Sequence, residues 1–210
     1  MRGIGVLGGT FDPVHFGHLR IALEIFQELD LAEVRFLPCH LPPHRAEPLA
    51  APQDRLAMLR LAVQDQGGFF VDERELQRPG FSYMVDTLES LRTEFPARSL
   101  CLIMGMDAFA SLHRWYHWEQ LVTLAHLVIA CRPGSDAALS PVVAALVAEH
   151  RAVDVAELRQ HTAGRIWFQA VSQLDISASR IRALVREDKS ARYLLPDAVW
   201  RYLCENKLYR

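Results

Sequence analysis

The sequence predicts an α/β protein, a Rossmann-like, doubly wound parallel sheet followed by a small helical C-terminal part. Three observations predict it. Six short apolar runs alternate with segments whose apolar residues recur at the helical period, the pattern of a parallel sheet covered on both faces. The first run ends in Gly8-Gly9 and passes through an Asp12-Pro13 turn into a helix-like segment. Beyond Ser172 the chain reads as helical and basic, with no further strand.

In chain order, the strand signals fall at residues 4–7, 34–38, 69–71, 100–104, 126–130 and 166–170. Residues 17–29 place Leu19, Ala22, Ile25, Phe26 and Leu29 on one helical face. Residues 53–63 carry Leu56, Leu59, Leu61 and Val63 behind Pro52, a helix-start signal. Residues 82–95 carry Val85, Leu88 and Leu91 and stop at Pro96. A shorter helix is expected at 118–125, and two apolar or mixed helices at 141–150 and 153–160 read as an insertion. Helices at 177–186 and 196–204 close the chain. Residues 39–51 form a proline-rich loop containing His40-Leu-Pro-Pro-His44-Arg45.

Bulk properties narrow the function classes. The 210 residues suit one sizeable domain, and half of them are apolar, enough for a full core. A formal charge of −2 gives no global attraction to nucleic acid, so an anionic ligand has to be held by local groups. The four cysteines, Cys39, Cys101, Cys131 and Cys204, are scattered; Cys101 and Cys131 lie in apolar runs and read as core residues. That pattern favours the reducing cytoplasm. The chain opens directly on a strand, which argues against a signal peptide, and no apolar run is long enough to span a bilayer. A homo-oligomer is compatible with all of this.

The chemistry concentrates at the first strand's exit. Gly8 and Gly9 lack Cβ atoms, so backbone N–H groups can approach a ligand closely. A strand, a glycine turn and a helix start together form a phosphate site. His15-x-x-His18 stands at that helix mouth, with Gly17 between. Such a pair can hold a metal, lie on the surface, or bind phosphate. No third or fourth ligand is evident nearby, and the glycine turn favours phosphate. Ser177 and Ser179 start a helix, where an N-cap doubles as an anion site, and Arg182 follows one turn later. Asp107 reads either as a ribose-hydroxyl acceptor or as the N-cap of a helix at 108–112. Trp115, Tyr116 and Trp118 read either as core aromatics or as a stacking surface.

The run Gly8-Gly9-Thr10-Phe11-Asp12-Pro13-Val14-His15-Phe16-Gly17-His18 resembles the signature of the H-x-G-H nucleotidyltransferase superfamily. Ile176-Ser177-Ala178-Ser179-Arg180-Ile181-Arg182 is similar to its second motif. Pro42-Pro43-His44-Arg45, the 72–76 segment, Ser82-Tyr83, Gly105-x-Asp107, Trp115-Tyr116, Arg132-Pro133-Gly134 and Leu208-Tyr209-Arg210 resemble, in order, the bacterial nicotinate-mononucleotide adenylyltransferases. Cys39-His40, Met84 and Met106 depart from that pattern.

The resemblance implies transfer of AMP from ATP to nicotinate mononucleotide, giving deamido-NAD and pyrophosphate, with Mg2+ carried on the ATP and no metal site in the protein. It implies that His18 donates to the α-phosphate and His15 holds neighbouring phosphate oxygens. Gly8, Gly9, Thr10, Phe11, Gly105, Ser177, Ser179 and Arg182 would complete the ATP site, with Arg180 facing solvent. Thr10, His44, Arg45, Tyr83, Met84, Asp107, Trp115, Tyr116 and Arg132 would hold the mononucleotide, with Trp115 stacked on the pyridine and Trp118 left in the core. It implies a single domain, with a nucleotide-binding core over residues 1–172 and a helical part over 173–210. Two other readings share some of these features: a pantetheine-phosphate adenylyltransferase-like enzyme, and a non-catalytic nucleotide sensor.

Overall fold

The computed structural model describes residues 2–43, 46–132 and 139–210. The chain runs β1 (Ile4–Gly9), α1 (Phe16–Glu28), β2 (Glu33–Pro38), α2 (Pro52–Val63), β3 (Phe69–Val71), α3 (Arg74–Gln77), α4 (Met84–Glu94) and β4 (Leu100–Gly105). It continues with α5 (Met106–Ala110), a 3-10 turn (Leu112–Arg114), α6 (Trp118–Leu124), β5 (His126–Cys131), α7 (Pro141–His150), α8 (Glu157–Gln160), β6 (Ile166–Ala170), α9 (Ala178–Arg186) and α10 (Asp197–Glu205). All six strands pair in parallel in the order β3-β2-β1-β4-β5-β6.

Alternation along each strand divides the core into two layers. Cys101, Ile103, Val128 and Ala130 face one side, where Ala22 and Ile25 of α1 and Met58 and Leu59 of α2 pack against them. Ile4, Val6, Leu102, Met104, Leu127 and Ile129 face the other, against Val85, Leu88 and Leu91 of α4 and Leu121 of α6. The C-terminal helices join the first layer through Ile181, Val185, Val199 and Leu203, so they share the core that the sheet began.

Several local expectations change, each for a visible reason. Helix α4 starts at Met84, not at residue 82, because the Ser82 N–H donates to the Leu41 carbonyl at 2.9 Å and Leu41 bridges Phe81. The helix expected over 153–160 is only α8. Ahead of it, the Val153 N–H bonds to the Glu157 carboxylate and the Ala156 N–H to that of Asp154, which competes with helical bonding. Residues 141–160 are the crossover between parallel strands β5 and β6 rather than an insertion. Asp107 is not an N-cap: β4 runs on to Gly105, which caps α5, and Asp107 lies in the first turn, where its charge favours the helix dipole. Cys101 is buried as expected, whereas Cys131 is half-exposed at the end of β5.

Candidate active site

Successive connections leave β1 toward β2 on one side and enter β4 on the other, so a crevice opens at the carboxyl ends of these central strands. It is a cavity of about 710 Å³. Gly8, Gly9, Thr10 and His18 line one part; Tyr83, Met84, Trp115 and Tyr116 line another; Leu102, Ile103, Met104 and Gly105 form a third wall.

The first part is built by the turn between β1 and α1. Phe11 sits in the left-handed region (φ 48°), a conformation that costs a non-glycine residue about 1–2 kcal/mol. Its surroundings hold it there. The Phe11 ring is buried, edge-on to His18 (centroids 5.1 Å apart) and 6.1 Å from Phe36. The neighbouring Asp12 carboxylate is buried and accepts from the Leu49 N–H (2.8 Å), the Ala50 N–H (3.1 Å) and the Tyr209 hydroxyl (2.7 Å).

His15 is the N-cap of α1 and is buried, which lowers its pKa to about 4 and leaves it neutral at physiological pH. Its ring stacks on that of His18 with centroids 3.8 Å apart. The His15 N–H donates to His18 Nδ1 at 3.3 Å, which places the proton of a neutral His18 on Nε2. His15 Nδ1 is buried, with only the loose capping-box approach of the His18 N–H toward the ring and no well-formed hydrogen bond. A methyl group at Gly17 would stand 2.9 Å from that atom, so glycine here is required by the ring's position. One at Gly8 would meet the Met84 methyl at 2.6 Å, so Met84 occupies the space that Gly8 leaves open.

The second motif comes to the same place. The Ile176 carbonyl passes 3.5 Å from the position of a Gly17 Cβ. Ser177 caps α9, its hydroxyl accepting from the Arg180 N–H at 3.2 Å. Arg182 reaches back and donates from Nη1 to the Asp12 carbonyl at 2.6 Å, with Nη2 3.4 Å from the Ser179 hydroxyl. Imidazoles, a guanidinium and the amino end of α1 thus gather beside one glycine turn, an arrangement suited to a polyphosphate.

The opposite wall is aromatic. Tyr83 and Tyr116 lie 4.5 Å apart, and Trp115 is half-buried beside them. Beneath, Glu75 is buried; desolvation raises its carboxyl pKa against the opposing hydrogen bonds from Thr87 and Ser82.

Comparison with known proteins agrees with this architecture. A model of the cytidylyltransferase-like family matches residues 6–184. The chain belongs to that family. Among its relatives, a protein of Methylococcus capsulatus named "Probable nicotinate-nucleotide adenylyltransferase" is 50% identical over 98% of this chain and 99% of its own length. One of the same name from Halorhodospira halophila is 49% identical over 100% and 96%. A solved structure of Plasmodium falciparum nicotinic acid mononucleotide adenylyltransferase complexed with NaAD has the same fold, with a TM-score of 0.76 over 100% of this chain and 98% of that one at 15% identity.

Of the candidate site residues, Gly8, Gly9, Thr10, His18, Tyr83, Met84, Gly105, Trp115 and Tyr116 line the cavity. His15 stacks on His18 without lining the cavity, and the Phe11 ring is in the core. Ser177, Ser179 and Arg182 stand on α9 next to the turn. Arg180 is exposed, and Trp118 packs on the core while staying half-buried. Asp107 is exposed on α5. Arg132 is exposed at the end of β5 and donates to the Gln173 side chain at 2.9 Å, facing a separate depression with Glu24 and Asp175. His44 and Arg45 lie outside the described residues. His40 turns away toward the Gly80 carbonyl (3.3 Å).

Sequence reading missed Arg55, which is fully buried, and the hub at Asp12. The signal for Arg55 was present: it lies three and four residues before Met58 and Leu59, on the buried face of α2.

Proposed function

We propose that this cytidylyltransferase-like protein is a nicotinate-mononucleotide adenylyltransferase, transferring AMP from ATP to nicotinate mononucleotide with release of pyrophosphate. The observation that carries the reading is the continuity of one cavity from the glycine–histidine turn to the Trp115–Tyr116 wall. It offers a triphosphate site and an aromatic ring site with a shared floor.

The attacking 5′-phosphate is already ionised at neutral pH, so the reaction needs no general base. One phosphate oxygen attacks the α-phosphorus in line, and the bond from that phosphorus to the bridging oxygen breaks. Catalysis then comes from positioning and charge stabilisation. His18 donates from Nε2 to the α-phosphate as charge builds on its oxygens. His15 fixes the plane of the His18 ring by stacking on it. The N–H groups of Thr10 and Phe11 line the junction of the two substrates. Ser177, Ser179 and Arg182 hold the β- and γ-phosphates.

Among the described residues no three His, Cys, Asp or Glu side chains gather as a metal site, and the carboxylate nearest the turn, Asp12, is engaged by Leu49, Ala50 and Tyr209. Magnesium would arrive on the triphosphate and would there supply positive charge to the departing pyrophosphate. Trp115 stacks on the pyridine ring, and His44 and Arg45 are assigned to the mononucleotide phosphate, with Asp107 on a ribose hydroxyl; Arg132, held by Gln173 at a separate depression, lies outside that set. We place the enzyme in the cytoplasm, in keeping with its four free cysteines; among the described residues no helix is long and apolar enough to cross a membrane.

Pyrophosphate release measured with ATP and each of three acceptors tests the reading. Nicotinate mononucleotide should support turnover well above nicotinamide mononucleotide, and phosphopantetheine should support none. Turnover with phosphopantetheine alone, or ATP binding without release under any condition, would contradict it.

A further inference from the structure

Arg55 lies on α2, outside the cavity, and its side chain has no exposure at all. Its three acceptors are all main-chain carbonyl oxygens: Thr10 from Nη1 at 2.7 Å, and Cys39 (2.7 Å) and His40 (3.5 Å) from Nη2. A buried cation whose terminal nitrogens donate only to loop carbonyls, with Nε unpartnered, is an unusual use of a guanidinium, because burial without a carboxylate is costly.

Peptide geometry gives that arrangement a consequence. In a trans peptide the C=O and the next residue's N–H point in opposite directions. Pulling the Thr10 carbonyl inward onto Arg55 turns the Phe11 N–H outward, on the side away from α2. The same holds one loop over. The Cys39 carbonyl is held by Arg55, and the N–H across that peptide, from His40, donates to the Ser82 hydroxyl at 2.8 Å. Ser82 in turn is hydrogen-bonded to Glu75 and sits next to Tyr83 and Met84 of the aromatic wall. One planar side chain therefore joins the peptide at the phosphate turn to the peptide that anchors the ring pocket.

We propose that Arg55 is a positioning residue for adenylyl transfer: its forked guanidinium sets the orientation of the 10–11 peptide against the 39–40 peptide, and so registers the phosphate site with the mononucleotide site. This rests on the function proposed above. Lysine keeps the charge but has no planar fork, so it cannot hold two loops at fixed spacing. The Phe11 turn, being in a disfavoured conformation, is the segment that relaxes first when the clamp is lost.

The test compares two arginines of similar chemistry. Arg92 also donates only to carbonyls, those of Phe95, Arg98, Leu124 and Thr162, but at the amino ends of the strands, the far side of the sheet from the crevice. Arg55→Lys, Arg92→Lys and wild type are assayed for thermal midpoint, kcat and both KM values with ATP and nicotinate mononucleotide. Arg55→Lys is expected to lose about tenfold or more in kcat, since a small misplacement of the reacting groups is amplified in the rate, while Arg92→Lys loses stability only. Arg55→Ala should regain part of its kcat when guanidinium is added, and Arg92→Ala should not respond. Ser82→Ala, which cuts the relay without disturbing α2, provides the second route and should lower kcat in a protein of near-normal thermal midpoint. Equal kcat in Arg55→Lys and Arg92→Lys, or a normal kcat in Ser82→Ala should the Arg55 variants fail to fold, would overturn the proposal. A wild-type protein inactive with nicotinate mononucleotide would instead overturn the function on which it rests.

Discussion

At the carboxyl ends of the strands, His15 is buried beside a glycine turn; at the amino ends, His126 is buried at the start of β5. Burial lowers both to about 4, so on protonation behaviour alone they are indistinguishable. Their hydrogen bonds separate them. Both ring nitrogens of His126 are used by the backbone: Nε2 meets the His161 carbonyl at 3.0 Å and Nδ1 accepts from the Arg165 N–H at 3.1 Å. His15 Nδ1 has no well-formed hydrogen bond, only the capping-box approach of the His18 N–H, and the ring lies against a second imidazole at a helix amino end. The same contrast holds for Arg92, which ties the far loops together, and Arg182, whose Nε is buried without a partner. The two edges show that a desolvated or deeply placed polar group does not by itself mark a site. What sets His15 and Arg182 apart is their place beside the glycine turn and the His18 ring that lines the cavity.

The sharpest way to break this contrast is His18→Ala. It should lower kcat by about 10²–10³-fold, on the order of 3–4 kcal/mol of transition-state stabilisation, with ATP affinity nearly unchanged. Single-turnover rates and equilibrium ATP binding check it; a large loss of ATP affinity with normal turnover would reassign the residue. Gly17→Ala should follow. Gly17 is buried in the first turn of α1, so the helix-propensity gain of alanine, at most about 1 kcal/mol, is offset by the contact with His15 and the melting temperature should hold or fall. The new methyl meets His15 Nδ1, and kcat should drop about tenfold as the stacked rings move.

His126→Gln tests the other edge. It should cost about 1–3 kcal/mol of stability by chemical denaturation and leave kcat untouched. It should also flatten the acid limb. The folded state keeps His15 and His126 neutral down to about pH 4, whereas the unfolded chain takes up protons from about 6.5. Their contribution to stability is therefore complete above that upper value and is lost as pH falls toward the lower one. The slope is at most ~1.4 kcal/mol per pH unit for each histidine. A variant with an unchanged acid limb would show that His126 does not report on folding. The smallest effect is expected from Trp115→Ala, which should raise the KM for nicotinate mononucleotide by roughly 0.5–1.5 kcal/mol of lost stacking and change kcat little. Unaltered KM would make Trp115 a structural residue.

Much of this was readable from the chain. β3 and β6 begin and end where their apolar runs do, and the alternation of Leu102 and Ile103, or of Leu127 and Val128, between two layers follows from strand periodicity. The glycine turn and both histidines were legible as local motifs, whereas the aromatic residues read equally as core until the family resemblance assigned them to a ring site. What escaped was long-range and polar. Arg55 looks like a solvent-facing charge until α2 is seen to bury its Arg55–Met58–Leu59 face. His126 vanishes inside an apolar run. The Asp12–Tyr209 bond joins residues 197 positions apart, a contact that no local pattern encodes. Arg132 sits at a strand's carboxyl end as expected, but beside β6, because the sheet extends one strand further along that edge.

The measurement that bears most directly on the account is a structure of this protein with an unreactive ATP analogue. The triphosphate should lie against the N–H groups of Thr10 and Phe11, with an α-phosphate oxygen within hydrogen-bonding reach of His18 Nε2 and Arg182 released toward the outer phosphates. A triphosphate bound in the Arg132–Gln173 depression, with the glycine turn and both imidazoles untouched, would contradict it.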